Sequence, residues 1–361
     1  DTQETQYDRI RKKGQTGTPS GEKARESQSA DARKGGKNTL LKVVGTPALL
    51  ASIGKIATDA QKIGKKPAIE DKRNLKIKIN ISGKLLLRDN AKVSVFDSGF
   101  LLGDGIWEGL RLNKKKWVFF EDHINRLFEA LKLVEIKFKL SKDQILQELE
   151  KTRLSNDMHT DVYARFMVTR GKKSKPFQHP DFSIYGSTYV IIMEHSKPSL
   201  KVSKRNLKLI TVPQVRGLPM TQDPKLNSHS KLNCVLACIQ ATRVGGDEAL
   251  MLDPYGFVNT TNSCNFFIVK GKEVWTSTGD YCMNGVTRQK VINLCRNLGI
   301  PIFEKNFTLL DTYSADEIFL TGTFGGLTKV DSIDGHSIFN KNENSILQIL
   351  KNEYQGLIEK Y

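Results

Sequence analysis

Three short stretches hold residue types that could together grip a phosphate and bond covalently to a carbonyl. The first is Asp223-Pro-Lys-Leu-Asn-Ser-His-Ser-Lys-Leu-Asn233, which leads into an apolar, helix-forming run, with Val258-Asn-Thr-Thr-Asn-Ser-Cys-Asn-Phe-Phe267 downstream. A lysine at the mouth of a helix, with hydroxyls and amides around it, can form an imine when part of its amine is neutral. The second pairs Gly285-Val-Thr-Arg288, opening a helix, with Leu320-Thr-Gly-Thr-Phe-Gly-Gly326 after a strand. Each offers backbone N–H groups and a threonine hydroxyl at a glycine-rich turn, which can cradle a phosphate monoester without a metal. The third is Phe96-Asp-Ser-Gly-Phe-Leu-Leu-Gly-Asp-Gly-Ile-Trp-Glu-Gly109, followed by Glu121-Asp-His-Ile-Asn-Arg-Leu127. It sets Arg126 one turn into a helix, where the helix N-terminus and the guanidinium both favour anions. Read singly, Arg126 is equally a surface residue of an amphipathic helix, and His123 and His229 read as structural or capping residues.

These stretches need a scaffold, and from Arg73 onward the chain has the texture of an α/β domain. Lys76 to Ile81 alternates charge with isoleucine in the period of a half-buried strand, and Lys92 to Phe96 repeats the pattern. Asp122 to Val134 gathers Ile124, Leu127, Phe128, Leu131 and Val134 on one helical face, and Lys142 to Leu154 predicts a second helix. Strands are expected at 162–169, 187–193 and 207–212, and Phe96 to Gly109 reads as a glycine-punctuated turn between strands. Gln214 to Pro219 reads as a connector, because Gly and Pro interrupt every period. Beyond it come a helix at 231–244, strands near 248–252, 264–270 and 273–276, and a helix at 287–298. Strands at 302–306 and 317–321 and a helix from about Asn344 complete the pattern.

At 361 residues, 39% hydrophobic and 26% charged, the chain suits one large or two medium globular domains. No apolar run approaches the roughly 18 to 20 residues of a bilayer span, and Val43 to Ile53 is broken by Gly45 and Pro47. The net charge is +17, and the first 80 residues, with 18 basic and 9 acidic side chains, carry more than half of it. Residues 1 to 36 have almost no large apolar side chains and are expected to be disordered or ordered by a partner. Leu40 to Ile63 is helix-prone but weakened by its glycines and Pro47. Tyr7 is the leader's one aromatic residue, so base stacking is not on offer and nucleic acid is not an expected partner. Five cysteines, with no CxxC pair and no histidine at zinc spacing, predict no metal site and a reducing compartment. Cys234 and Cys238, four apart on an apolar helix, read as buried small hydrophobes.

From about Lys76 to Leu350 the sequence resembles the class IV aminotransferases, pyridoxal-phosphate enzymes of fold type IV that include branched-chain and D-amino-acid aminotransferases and aminodeoxychorismate lyase. The resemblance rests on the Phe100-to-Gly109 turn, His123-Ile-Asn-Arg-Leu127, Gly285-Val-Thr-Arg288 and Ala315-Asp-Glu-Ile-Phe-Leu-Thr-Gly-Thr323, in the family's order and spacing. It implies an α/β (α+β) architecture: a basic extension at 1–74 with a possible helix at 40–63, a small α/β domain at 75–212, a connector at 213–220 and a larger cofactor-binding domain at 221–361. It also implies pyridoxal 5′-phosphate, transamination between an amino acid and a 2-oxo acid, and a homodimer. By resemblance Arg126 grips the phosphate, Val286, Thr287 and Thr323 complete its cup, and Thr260 and Asn265 lie near the ring.

Two departures from the family pattern fall on the chemistry. Ungapped alignment through Cys238-Ile-Gln-Ala241 puts the family's imine-forming lysine on Asn227, which cannot make a Schiff base. Alignment through the local Lys-Leu-Asn selects Lys231 instead, which shares a face with residue 227 if 227–231 are helical. Lys231 is therefore the expected catalytic lysine, with Lys225 or a dead site as alternatives. Where the family carries a glutamate that keeps the pyridine nitrogen protonated stands Thr260, a weaker support for the ring as an electron sink. Arg111, Arg165 and Arg170 are candidates for the substrate carboxylate. The competing expectation is a catalytically impaired, aminotransferase-like scaffold docked on a larger assembly through its extension. The basic leader, the missing initiator Met and the family's metabolic settings point to a mitochondrial location, with the cytoplasm as alternative.

Overall fold

A computed structural model describes residues 71–196, 207–340 and 344–360. The expected basic extension, with its possible helix at 40–63, lies outside the described residues up to residue 70. Alternation decides the first layer. In the strand Val162–Thr169, Val162, Ala164, Phe166 and Val168 are buried in one core, while Tyr163, Arg165 and Met167 stand on the opposite, half-open face. Around it six antiparallel strands form a sheet: β1 (Lys78–Ile81), β2 (Lys84–Leu87), β3 (Gly105–Asn113), β4 (Lys116–Val118), β5 (Val162–Thr169) and β6 (Thr188–His195), in the order β2-β1-β6-β5-β3-β4. Helices α2 (Phe120–Leu133) and α3 (Lys142–Ser155) cover the buried face, after a short α1 (Ser98–Leu102). Ile124, Leu127 and Leu131 of α2 are buried at helical spacing. Each such side chain contributes roughly 1.5–3 kcal/mol of burial. Ser141 and Gln144 close a capping box on α3, which fixes where that helix starts.

The second layer is nearly a barrel. It contains β7 (Leu207–Thr211), β8 (Glu248–Leu252), β9 (Val258–Thr261), β10 (Asn265–Lys270), β11 (Glu273–Thr276), β12 (Ile302–Glu304), β13 (Glu317–Gly322), β14 (Gly326–Ile333) and the short β15 (His336–Ser337). Because β9 bonds to both β8 and β10, the strands β10-β13-β14-β7-β8-β9 close into a ring. Leu209, Leu250, Phe266, Ile268, Ile318 and Val330 fill its interior. Outside it, α5 (Val286–Asn297) and α7 (Ile346–Glu359) pack on Phe267 and Phe319, and α4 (Leu232–Arg243) lies on β7 and β8. A short α6 (Leu309–Tyr313) precedes β13.

Four expectations need correction. Lys92 to Phe96 forms no strand: Val93 and Val95 are both exposed, so the alternation has no sheet to face. The supposed turn at Phe96–Gly109 holds α1 and runs into β3, the longest strand, whose glycines let neighbouring side chains lie against the backbone. Leu207–Thr211, grouped above with the first domain, bonds to β8 and β14 and so belongs to the second sheet. Cys234 and Cys238 are half-buried, because α4 turns Ala237 and Ala241 to the sheet instead.

Candidate active site

Three barrel strands bring a row of polar side chains together. Asn265 of β10 pairs with Thr260 of β9 on one side and Thr321 of β13 on the other. Thr260 reaches this row through a bulge. The β8–β9 register slips between Met251↔Thr260 and Leu252↔Val258, so Val258 enters the barrel core while Thr260, two residues on, faces out. All three residues of the row are buried. Asn265 donates to the Met283 carbonyl at 2.9 Å, and a Cβ on Gly285 would lie 2.2 Å from its Oδ1. Glycine is required there by that approach.

Gly285 is also the N-cap of α5, whose first intrahelical bond runs from Gln289 N to Gly285 O. The N–H groups of Val286, Thr287 and Arg288 therefore have no partner within the helix. Thr287 Oγ1 lies 3.4 Å from the Tyr354 hydroxyl, and Thr323 sits half-buried in the turn between β13 and β14. Arg126, on α2, is brought to the same helix end by donating to the Asn284 carbonyl at 3.0 Å. Its Nε and Nη2 clamp Glu108 at 2.8 and 2.7 Å, and His123 Nδ1 donates to the same carboxylate at 2.8 Å. Burial pushes the Glu108 carboxyl up, but the Arg126 charge and the bonds from His123 and Arg126 outweigh it and hold the group below the ordinary carboxylate range. Of the five guanidinium N–H groups, three are engaged, leaving two to meet an anion.

The donor set tests what could bind. Arg126, the bare N–H groups of α5 and the buried Thr321 hydroxyl, which has no hydrogen-bond partner, present donors with no carboxylate among them. They fit a dianionic phosphate. Among the described residues no group of His, Cys, Asp and Glu could hold a metal.

The amine side is built differently. Residues 227–231 are not helical, contrary to the condition stated above. Instead Ser228 bridges Ile106, Asn227 Nδ2 donates to the Trp107 carbonyl at 2.7 Å, and Trp107 N donates to Asn227 O at 3.0 Å, so this segment runs along β3. Asn227 is buried with its Oδ1 unpartnered. Lys231 is the N-cap of α4, and its ammonium turns back toward the Leu226 carbonyl at 3.5 Å, beside residue 227. Burial pulls the Lys231 amine below its ordinary value; Cys234 opposes this, and Arg216 and Arg126 add to it. Lys231 thus feels Arg126 across the site. Lys225 is exposed.

The remaining candidates divide cleanly. Arg170 is held by Asp104 at 2.7 Å and by the Val134 carbonyl at 2.8 Å, a structural role. Arg165 lies 3.9 Å over the Trp107 ring, and neighbouring Tyr163 packs edge-on to Phe324 of the β13–β14 turn. A cleft of about 350 Å³, lined by Arg88, Tyr163, Arg165, Ile192 and Glu194, opens on this face. Arg111 is half-buried on β3. His229 packs against Gly105, and burial lowers its imidazole against the pull of Asp97. Thr260 Oγ1 donates to the Cys264 carbonyl at 2.7 Å. Sequence reasoning missed Glu108, Arg216, Thr321 and Tyr354. Only Glu108 left a usable signal, as a lone acid in an apolar run 15 and 18 residues before the histidine and arginine that it binds.

The profile of the amino-transferase class IV family matches residues 105–333. A putative branched-chain-amino-acid aminotransferase of Methanocaldococcus jannaschii is 36% identical over 79% of this chain and 98% of its own length. Branched-chain-amino-acid aminotransferase-like protein 2 of Arabidopsis thaliana is 33% identical over 81% of this chain and 52% of its own, so the chain spans about half the length of that relative. Among solved structures, the branched-chain aminotransferase of Thermoproteus uzoniensis with norvaline superposes with a TM-score of 0.70 at 27% identity, over 79% of this chain and 97% of that one.

Proposed function

The chain belongs to the amino-transferase class IV family, and from that premise we propose that it moves an amino group between an amino acid and a 2-oxo acid, with pyridoxal 5′-phosphate held against the Thr260–Asn265–Thr321 row. The names of its relatives support branched-chain amino acids as the substrate class. When bound, the cofactor supplies an aldehyde and a ring that stabilises the charge left by α-proton removal. Arg126, the N–H groups of Val286 and Thr287 and the hydroxyls of Thr287 and Thr323 hold the phosphate. Asn265 and Thr260 flank the ring. Lys231 Nζ would hold the cofactor through its aldehyde carbon and, once released, would carry the proton from the substrate α-carbon to that carbon. Arg165, beside Tyr163, meets the substrate carboxylate. Two copies of the chain form the working unit.

One observation carries this reading: a desolvated amine at the start of α4 lies beside Asn227 and within electrostatic reach of Arg126. A positional swap tests it. Lys231→Ala should leave the protein unable to hold the cofactor, with its visible absorbance, through gel filtration, and adding Asn227→Lys should restore the band. A Lys231→Ala protein with the wild-type band contradicts the assignment.

Thr260 favours a second reading, in which the fold is kept and the reaction lost. Its hydroxyl donates to Cys264 O and carries no charge that could keep a pyridine nitrogen protonated. On that reading the protein stays colourless with added cofactor, and its basic extension docks it on a larger assembly.

A further inference from the structure

The stretch Gln214 to Pro219, which joins β7 to α4, also straps the start of that helix. Gln214 Nε2 donates to Asn233 Oδ1, Asn233 Nδ2 donates to the Val215 carbonyl at 3.1 Å, and Arg216 Nη1 donates to Cys234 Sγ at 3.2 Å. Arg216 reaches furthest. Its Nη2 donates to the Pro224 carbonyl at 3.3 Å, at the entry to the Asn227 segment, and its Nε donates to the Tyr281 carbonyl at 3.1 Å, two residues before the Met283 carbonyl that Asn265 binds. Its main chain is anchored too, through Arg216 N and the Leu252 carbonyl of β8 at 2.9 Å. One buried guanidinium therefore ties together α4, the run into Asn227 and the approach to α5. Among the described residues none of its partners is a carboxylate. A buried charge is ordinarily paired with one, because water is lost from around it.

We propose that Arg216 is a positioning residue for the reacting amine, strapping the turn from which Lys231 extends and setting a second positive charge, beside that of Arg126, on the site. The inference rests on Lys231 being that amine. A staple alone needs only hydrogen bonds, which a neutral amide also makes. The unpaired charge is what a staple leaves unexplained, and its effect on a neighbouring amine has a fixed sign, since a like charge disfavours the protonated form. Burial is the main reason that the Lys231 amine gives up its proton early; Cys234 and Glu108 oppose it, while Arg216 and Arg126 add to it. An acid in place of one of the neutral partners of Arg216 would cancel that contribution.

Competitive labelling of the full chain with acetic anhydride across a pH series, without added cofactor and read by peptide mass spectrometry, gives the midpoint at which Lys231 becomes reactive. In the wild type it should lie below that of a free lysine side chain. Arg216→Gln, which keeps hydrogen-bonding groups and removes the charge, should raise it by about one pH unit. Arg216→Lys, which keeps the charge and loses the fork, should leave it near the wild-type value while hydrogen exchange quickens in the first turn of α4. If Arg216→Gln does not fold, the wild type and Arg216→Lys decide the matter between them. A wild-type Lys231 that titrates like a free lysine overturns the proposal. So does a midpoint that stays put in folded Arg216→Gln, one that rises in Arg216→Lys, or a first turn whose exchange is unchanged in Arg216→Lys. These readings need no cofactor, so they stand or fall apart from the transaminase proposal, which borohydride labelling away from Lys231 would overturn by itself.

Discussion

The anion side and the amine side of the site are built to different standards. On the anion side Arg126 and the start of α5 are fixed from behind. Arg126 is locked by a buried carboxylate that His123 also binds, and α5 is pressed onto Asn265 at a glycine that admits nothing larger. On the amine side Lys231 makes one long contact from the N-cap of a helix, and the buried position beside it holds an amide. The difference teaches that the grip on an anion is set by the fold, whereas the amine proposed to react is held by a single long contact.

The contrast can be broken or sharpened by substitution. The largest effect is expected at Lys231→Ala, which should lower transaminase turnover by about 10³-fold or more, the scale of a lost general base, with folding stability nearly unchanged. Turnover with a branched-chain donor checks the first part and urea unfolding the second. Glu108→Gln should do the reverse and act first on stability. It leaves Arg126 and His123 buried without their anion, a loss of about 3–5 kcal/mol in urea unfolding. Its pH dependence follows from sign. The folded-state pKa of Glu108 lies below the ordinary value, so its stabilisation is full above that value and fades as pH falls through the depressed one. The acid limb of the wild-type stability profile should therefore flatten in Glu108→Gln.

Arg126→Lys should weaken cofactor binding by roughly 10-fold, about 1.4 kcal/mol, because a lysine cannot clamp Glu108 and still present two donors. Spectroscopic titration with pyridoxal phosphate measures that change. The smallest effect is expected at Thr260→Val, which removes one hydroxyl bond to Cys264 O and about 1 kcal/mol of stability. A loss at Thr260 as large as that at Glu108 would erase the distinction between the two sides.

The anion side was legible in the sequence because its parts are local. A helix start after Gly285 and a helix carrying Arg126 can be read from spacing alone, and the structure has both, from Val286 and over Phe120–Leu133. The amine side was less legible, because it depends on long-range placement. Asn227 pairs with Trp107 across 120 residues, and no local pattern shows whether residues 227–231 are helical. Thr260 faces the site only because a bulge intervenes after Val258, and period-two reading would have turned it into the barrel. Glycines in β3 disguised the longest strand of the first sheet as a turn, since a residue with no side chain carries no alternation.

The central claim is that one amine, on Lys231, does the work vacated at residue 227. Borohydride reduction of the protein loaded with pyridoxal phosphate, followed by peptide mapping, tests it most directly. The account predicts a pyridoxyl group on Lys231; a group on Lys225, or no labelled peptide, contradicts it.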